Sequence, residues 1–546
     1  MQSNKKLKKE IAKMKKVLAL VLALVMVLSL AACGGASQPE TPDTPVADTP
    51  ATPDSPATPE APATPDVPAL KGPGNVTLKR LGYNIAMDPN TDISGQVIEE
   101  STGYHVEYFK LPAENADEKL LMEISGGGDY DIVNANIGQY RTLLAQGALQ
   151  PLDDLLEVYG QAILNAGHEP VIWDALRGED GKIYGVPYMY PHPEEIAAFM
   201  TARMDLLRAA GIEEVPTTID EFYNMLVTLK DFYGDEYIIF AGPYMPNSEG
   251  NENWVIPKTI ACAFGIYSDW MVVDGKVIYM TEHENFDDMI AFFTKLQAEG
   301  LTDPDWALNT DATLLEKFTS GRSIITCGNR TLVSRGTEAL FAATGIGWDD
   351  IDYVNALQGP DGTCQYMSTE AFNFVSCIPK TSKNAADVMN WWNLRIQDDL
   401  HLTIGDEGVH FTYDENGGIN PINPIFADER GQSHWYMDVS TATWGTEQWP
   451  ARVRKSAGQW HAFSRVTMNS PDYIEFMDNT FAFMPAKENY TTYNGTLFND
   501  LNDYILQVMA GTRSIDDLAT FQSDWANAGG EDVRNDLQTW YDEFYG

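Results

Sequence analysis

From Val76 to Tyr159 the chain alternates short strand-like runs with helix-like runs, and this alternation restricts the fold more than any other feature. Val76-Thr77-Leu78-Lys79-Arg80-Leu81-Gly82-Tyr83 has the period of two of a half-buried strand. Ile93 to Thr102 reads as a helix closed by Gly103, and Tyr104 to Phe109 as a second strand. Glu114 to Ile124 reads as a helix with Leu120, Leu121 and Ile124 on one face. Asp131 to Asn134 is a short buried strand, and Tyr140 to Gln146 and Leu152 to Tyr159 are helical again. Strands alternating with helices imply a mostly parallel α/β sheet, whose ligand site lies beyond the carboxyl ends of the strands. Asn84, Asn134 and Asn136, just past such ends, are therefore the first candidate ligand contacts. The glycine run Gly126–Gly128 lacks the spacing of a phosphate loop and precedes a strand, so it reads as a helix cap and turn.

A chain of 546 residues is too long for one ordinary core and should form two lobes, with a small-molecule site in the cleft between them. Its net charge of −43 repels phosphate backbones and makes a nucleic-acid partner untenable. The first 32 residues hold seven lysines against Glu10 alone, so the remainder is more acidic still. Five cysteines exclude a disulfide scaffold.

The amino terminus reads as an export signal. A basic stretch ending in Lys15-Lys16 precedes Val17–Leu30, an uncharged run too short to span a bilayer but of signal-peptide length. It ends in Leu30-Ala31-Ala32-Cys33, which resembles the bacterial lipobox. The resemblance implies residues 1–32 as a cleaved signal peptide and a lipid on Cys33. Met14 is an alternative start. Residues 33–74 form a Pro/Thr/Ala/Asp-rich tether, in which Pro50, Pro53, Pro56, Pro59, Pro62, Pro65 and Pro68 repeat at the polyproline II period of three.

Further motifs carry a family resemblance. Asp131-Ile132-Val133 is followed by Leu143-Leu144-Ala145-Gln146-Gly147-Ala148-Leu149-Gln150-Pro151-Leu152, and then by Gly181-Lys182-Ile183-Tyr184-Gly185-Val186-Pro187. Next come Met204-Asp205-Leu206-Leu207, Gly211 and Val215-Pro216-Thr217-Thr218-Ile219-Asp220-Glu221-Phe222. Ala298-Glu299-Gly300-Leu301 and Phe318-Thr319-Ser320-Gly321-Arg322 follow, with Arg322 where the family has lysine. In this order the motifs resemble extracellular solute-binding proteins of ABC importers. Gly408-Val409-His410-Phe411, Ile515-Asp516-Asp517-Leu518 and Gly529-Gly530 resemble the large Gram-positive lipoprotein subgroup. The resemblance implies a periplasmic-binding-protein-like α/β fold of two lobes, each a mostly parallel sheet flanked by helices, with a hinge of two or three crossings. On that pattern residues 75–191 and 371–415 form the N-terminal lobe, and 192–370 and 416–546 the C-terminal lobe. It also implies a carbohydrate ligand, ABC permease subunits as partners, a monomer anchored to the outer face of the cell membrane, and no catalysis.

Sugar rings offer an apolar face to aromatic side chains and hydroxyls to polar ones, and the chain carries 13 Trp, 25 Tyr and 22 Phe to supply such faces. Candidate ligand contacts are Tyr190, Trp254, Trp270 and Trp444, in loop-like contexts, with Glu195 and Glu407 as hydroxyl acceptors. Asn329 and Arg330 join them, because the resemblance puts their turn at the cleft. Trp391-Trp392 reads as core. No G-x-S-x-G or H-E-x-x-H motif is present, although an extracellular carbohydrate-active enzyme, a glycan adhesin or sensor, and a peptide binder remain alternatives. Asp88, Asn90, Asp92, Ser94, Gln96 and Glu99 have the spacing of a calcium loop, but Ile93 stands where the turn glycine belongs, so they read as a loop with a helix cap. No metal and no cofactor are expected. Cys262, Cys327, Cys364 and Cys377 read as buried apolar residues, with a Cys364–Cys377 bridge as an open alternative.

Overall fold

The computed structural model describes residues 67–189, 192–242 and 256–545. The expected signal peptide, Cys33 and nearly all of the tether lie outside the described residues, as do Tyr190 and Trp254.

The principal strands, in chain order, begin with β1 (Thr77–Gly82), β2 (His105–Lys110), β3 (Ile132–Ala135), β4 (Gly185–Met189) and β5 (Ala198–Arg203). They continue with β6 (Ile238–Ala241), β7 (Trp270–Val273), β8 (Lys276–Tyr279), β9 (Ser323–Asn329), β10 (Ile351–Val354), β11 (Gln365–Met367) and β12 (Phe372–Cys377). Two sheets organise two cores. The first has the order β2-β1-β3-β12-β4 and the second β10-β5-β9-β6. Leu78, Val133, Leu143, Trp391 and Trp392 anchor the first core, and Phe199, Phe240, Phe293, Ile324 and Val354 the second.

The sheets are mixed, and the physical reason lies in the crossings. β1 pairs in parallel with β2 and β3, and β6 with β9. β5 and β12 run antiparallel to their neighbours. Both are the first sheet strand after a passage from one core to the other: from Met189 to Ile196 ahead of β5, and from Tyr366 to Phe372 at β12. A strand arriving from the opposite lobe enters at the facing edge and must run away from it. The register shows this, since Ala198 opposes Asn329 at the end of β9 and Val375 opposes Ala135 at the end of β3. The carboxyl ends of β1, β3, β4, β6 and β9 therefore converge where the lobes face each other.

A third passage follows Val439 of the first core and reaches Ala462 of the second. The expected division gave residues 416–546 to the C-terminal lobe, yet Trp435, Tyr436 and Val439 pack in the first core. Asp438 explains this: its buried carboxylate accepts hydrogen bonds from Arg80 Nε (2.8 Å), Arg395 Nη1 (3.1 Å), Ser376 Oγ (3.1 Å) and Trp392 Nε1 (3.3 Å). Arg80, in the middle of β1, is itself fully buried with its guanidinium over Trp435. A buried charge survives only when paired and hydrogen-bonded, so Asp438 fixes its segment to this lobe.

Local readings are recovered where local chemistry decides them. Asp92 caps the helix Ile93–Thr102 by accepting from Ser94 N at 2.9 Å. Asn90, in the same loop, exchanges hydrogen bonds with the backbone of Tyr108, and Glu99 meets His105, so the spaced carboxylates and amides serve the fold. Cys364 lies in the second core and Cys377 in the first, so Cys364 packs against Cys262 instead.

Candidate functional site

Beyond the carboxyl ends of the strands the lobes meet in two adjoining regions. The first is a chain of rings around a buried carboxylate. Glu195, on the passage into β5, is completely buried. Its Oε1 lies 2.5 Å from Arg330 Nε, and its Oε2 accepts from Trp449 Nε1 at 2.9 Å. Arg330 opens the helix Arg330–Thr344 directly after β9, and its guanidinium lies 5.0 Å over the Trp449 ring. Trp449 neighbours Trp444 at 5.8 Å, and Trp444 meets Tyr188 edge-on at 5.8 Å. Tyr188 stacks on Phe374, which lies parallel to Tyr83 at 4.6 Å. Rings from the ends of β1, β4 and β12 thus form one continuous wall reaching the second lobe's arginine.

Positive charge gathers behind this wall. Arg452 is buried, and it donates to the carbonyls of Thr403, Arg430 and Gly431 and to Ser433 Oγ. Burial, with Arg452 and Arg330 nearby, pushes the Lys455 ammonium down to about 7. Its Nζ donates to Gly431 O at 2.9 Å.

The second region is a cavity of about 230 Å³ lined from both cores. Ile137 and Arg141 enter from the first lobe's helix Ile137–Ala145, and Phe372 from the crossing. Tyr267, Asp269, Trp270, Asp478, Phe481 and Tyr490 enter from the second lobe and its carboxyl-terminal segment. Burial raises the Asp269 carboxyl, lowers the Arg141 guanidinium and pushes the Tyr490 hydroxyl up to about 12. Arg141 reaches the Met484 carbonyl through Nη2, while its buried Nε has no hydrogen-bond partner. Aromatic faces, carboxylates and an incompletely satisfied guanidinium suit a ligand with apolar faces and many hydroxyls. The volume falls below the about 300–1,000 Å³ of full ligand pockets.

The residues singled out from sequence are distributed as follows. Glu195, Arg330 and Trp444 belong to the ring wall, and Trp270 to the cavity. Trp270 is itself packed against Trp525 and donates to Asn494 Oδ1 at 2.7 Å. Asn84 is exposed just past β1. Asn136 and Asn329 sit at the facing edges but cap helices: Asn136 accepts from Gln139 N, and Asn329 from Thr331 N and Leu332 N. Asn134 is buried and donates to Ser376 Oγ at 3.0 Å, with its Oδ1 unpartnered. Glu407 is exposed on a turn bridged to Phe411. The cavity also takes in Arg141 and Tyr490, which no sequence motif marks. Arg141 lies five residues past Asn136, on the helix that Asn136 caps; Tyr490 carries no local signal.

Comparison with known proteins agrees with this architecture. Residues 95–323 match the family model of bacterial extracellular solute-binding proteins. Lipoprotein LipO of Bacillus subtilis is 23% identical over 468 residues, covering 82% of this chain and 88% of that protein. The fructooligosaccharide ABC transporter substrate-binding protein FusA of Streptococcus pneumoniae is 25% identical over 336 residues, 56% of this chain and 57% of that protein. Among solved structures, FusA in complex with kestose superposes with a TM-score of 0.64 at 20% identity, covering 86% of this chain and 99% of that one. An extracellular solute-binding protein from Bifidobacterium longum subsp. infantis gives 0.60 at 17%, covering 86% and 98%. The resemblance read from the sequence, to extracellular solute-binding proteins of ABC importers, is borne out, and so is the two-lobed α/β fold.

Proposed function

We propose that this protein captures a carbohydrate, an oligosaccharide, between its lobes and delivers it to the membrane subunits of an ABC importer while a lipid on Cys33 holds it outside the cell. The observation that carries this reading is the cavity lined from both cores, where Trp270, Tyr267, Phe481 and Tyr490 offer ring faces beside Asp269, Asp478 and Arg141. Stacking holds the apolar face of a sugar and the charged groups take its hydroxyls. Closure of the lobes then couples capture to shape. No bond in the ligand is made or broken: Asp269 and Asp478 act as hydrogen-bond acceptors, and Asn84 and Arg330, which keep accessible surface, extend the contact surface. FusA, named for fructooligosaccharides, supports the ligand class, and LipO, named a lipoprotein, supports the anchor.

Thermal-shift measurements against mono- and oligosaccharides test the reading. A ligand that binds only the folded state stabilises it by about 2.7 kcal/mol at one hundred times its Kd. At least one oligosaccharide should raise the Tm, and prolonged incubation should leave it intact. If peptides shift the Tm and no sugar does, the carbohydrate assignment fails; if the glycan is cleaved, the non-catalytic one fails.

A further inference from the structure

Two thiols far apart in sequence meet inside the second lobe. Cys262, at the end of the helix Lys258–Ala261, and Cys364, just before β11, lie with Sγ atoms 3.8 Å apart across 102 residues. Both are buried, at 1% and 2% exposure. Cys377 belongs to the other core, where its Sγ faces the Val133 carbonyl at 3.6 Å. We propose that Cys262 and Cys364 are joined by a disulfide in the exported protein, an inference that rests on the extracellular location in the functional reading above.

The chemistry is thiol–disulfide exchange with a disulfide-bearing oxidant, either a small-molecule disulfide or a thiol oxidoreductase. One protein thiolate attacks an oxidant sulfur and displaces the other as thiolate, leaving a mixed disulfide. The second protein thiolate attacks the protein sulfur of that mixed disulfide and displaces the remaining oxidant thiolate. The two cysteines together lose two protons and two electrons, and the oxidant's disulfide is reduced to two thiols. Disulfides persist outside the cell, where the reducing pool of the cytosol is absent.

Burial holds the Cys262 thiol well above its ordinary range, so it supplies almost no thiolate once the lobe has closed over it. Exchange therefore belongs to folding, while both sulfurs are still open to the oxidant. The bond would staple the base of Ile266–Met271, whose Tyr267 and Trp270 line the interlobe cavity, to the run that leads into the crossing toward β12. One side of the ligand cavity would thereby be held on a covalent frame.

The test uses the full chain recovered from its host membrane, denatured, and alkylated with and without prior reduction. Among Cys262, Cys327, Cys364 and Cys377, two should escape alkylation without reductant and all four should react after it. Mass mapping of the unreduced digest should join the peptides carrying Cys262 and Cys364. Cys262→Ser or Cys364→Ser should abolish the bond and create no other. Oxidised glutathione should form the bond when present during refolding and leave the reduced, folded protein unchanged. Four reactive thiols in the unreduced protein, or a linkage through Cys377, would overturn the proposal. Labelling intact cells with a membrane-impermeant reagent measures export separately, so free thiols in a protein shown to be outside count against the disulfide and not against the location.

Discussion

Replacing Arg330 with alanine removes the cation that neutralises a completely buried carboxylate. Glu195 has no exposed surface, and its two partners are Arg330 Nε at 2.5 Å and Trp449 Nε1 at 2.9 Å. Breaking a buried ion pair by deleting one partner typically costs about 3–5 kcal/mol, because the remaining charge is left desolvated. The Arg330 side chain is 16% exposed, so water can partly replace it and the low end applies, about 3 kcal/mol. Glu195→Gln should cost about 1 kcal/mol, since a neutral amide can still accept from Trp449 and Arg330 keeps its place over the ring. The double variant should lose much less than the sum of the two, giving a coupling energy of about 2 kcal/mol. Urea unfolding followed by circular dichroism at neutral pH measures each value; with an m-value of about 3 kcal/mol/M, the arginine variant's midpoint falls by about 1 M. Raising the salt should change this little, because buried pairs are weakly screened. A midpoint for Arg330→Ala within experimental error of wild type, or additive single and double variants, refutes the buried-pair reasoning.

Asp438→Asn leaves the buried guanidiniums of Arg80 and Arg395 without their carboxylate and should cost about 3 kcal/mol or more, read as a fall in Tm together with loss of near-ultraviolet signal from Trp435. Burial pushes the Asp399 carboxyl from 3.8 up to about 6, so the unfolded chain releases this proton at lower pH than the folded one. Stability should therefore fall as pH rises from about 4 through about 6, and Asp399→Asn should flatten that stretch of the urea-midpoint profile. Lys455 has the opposite sign: its ammonium is pushed down to about 7, the folded state gives up its proton first, and stability should rise from about pH 7 toward 10. Lys455→Met should abolish that rise. Trp270→Ala and Tyr490→Ala should each weaken sugar binding by tenfold or more, about 1.4 kcal/mol, in calorimetric titration; unchanged affinity in both would remove the cavity from the ligand site.

What the sequence determined by itself is what local chemistry decides. The period-two pattern of Val76–Tyr83 yields β1, the Asp92 cap starts its helix, and Trp391-Trp392 are buried as the helical pattern of their segment implied. The ordered motifs carried the two-lobed architecture as well. Tertiary structure decided everything that depends on partners far along the chain. Asparagine serves equally as a helix cap and as a sugar contact, and only the folded chain shows Asn136 and Asn329 engaged as caps. An aromatic run reads the same in a core and in a cleft, so Trp435 gave no sign that Asp438 would draw it under Arg80. Arg141 and Tyr490 line one cavity although nearly 350 positions separate them, and Cys364 meets Cys262, whereas the sequence leaves a Cys364–Cys377 bridge only as an open alternative to buried, unpaired thiols. Helix capping and hydrophobic periodicity act within a few residues and are written in the sequence. The closing of two lobes over a shared edge is a sum of distant contacts, and no stretch of the chain contains it.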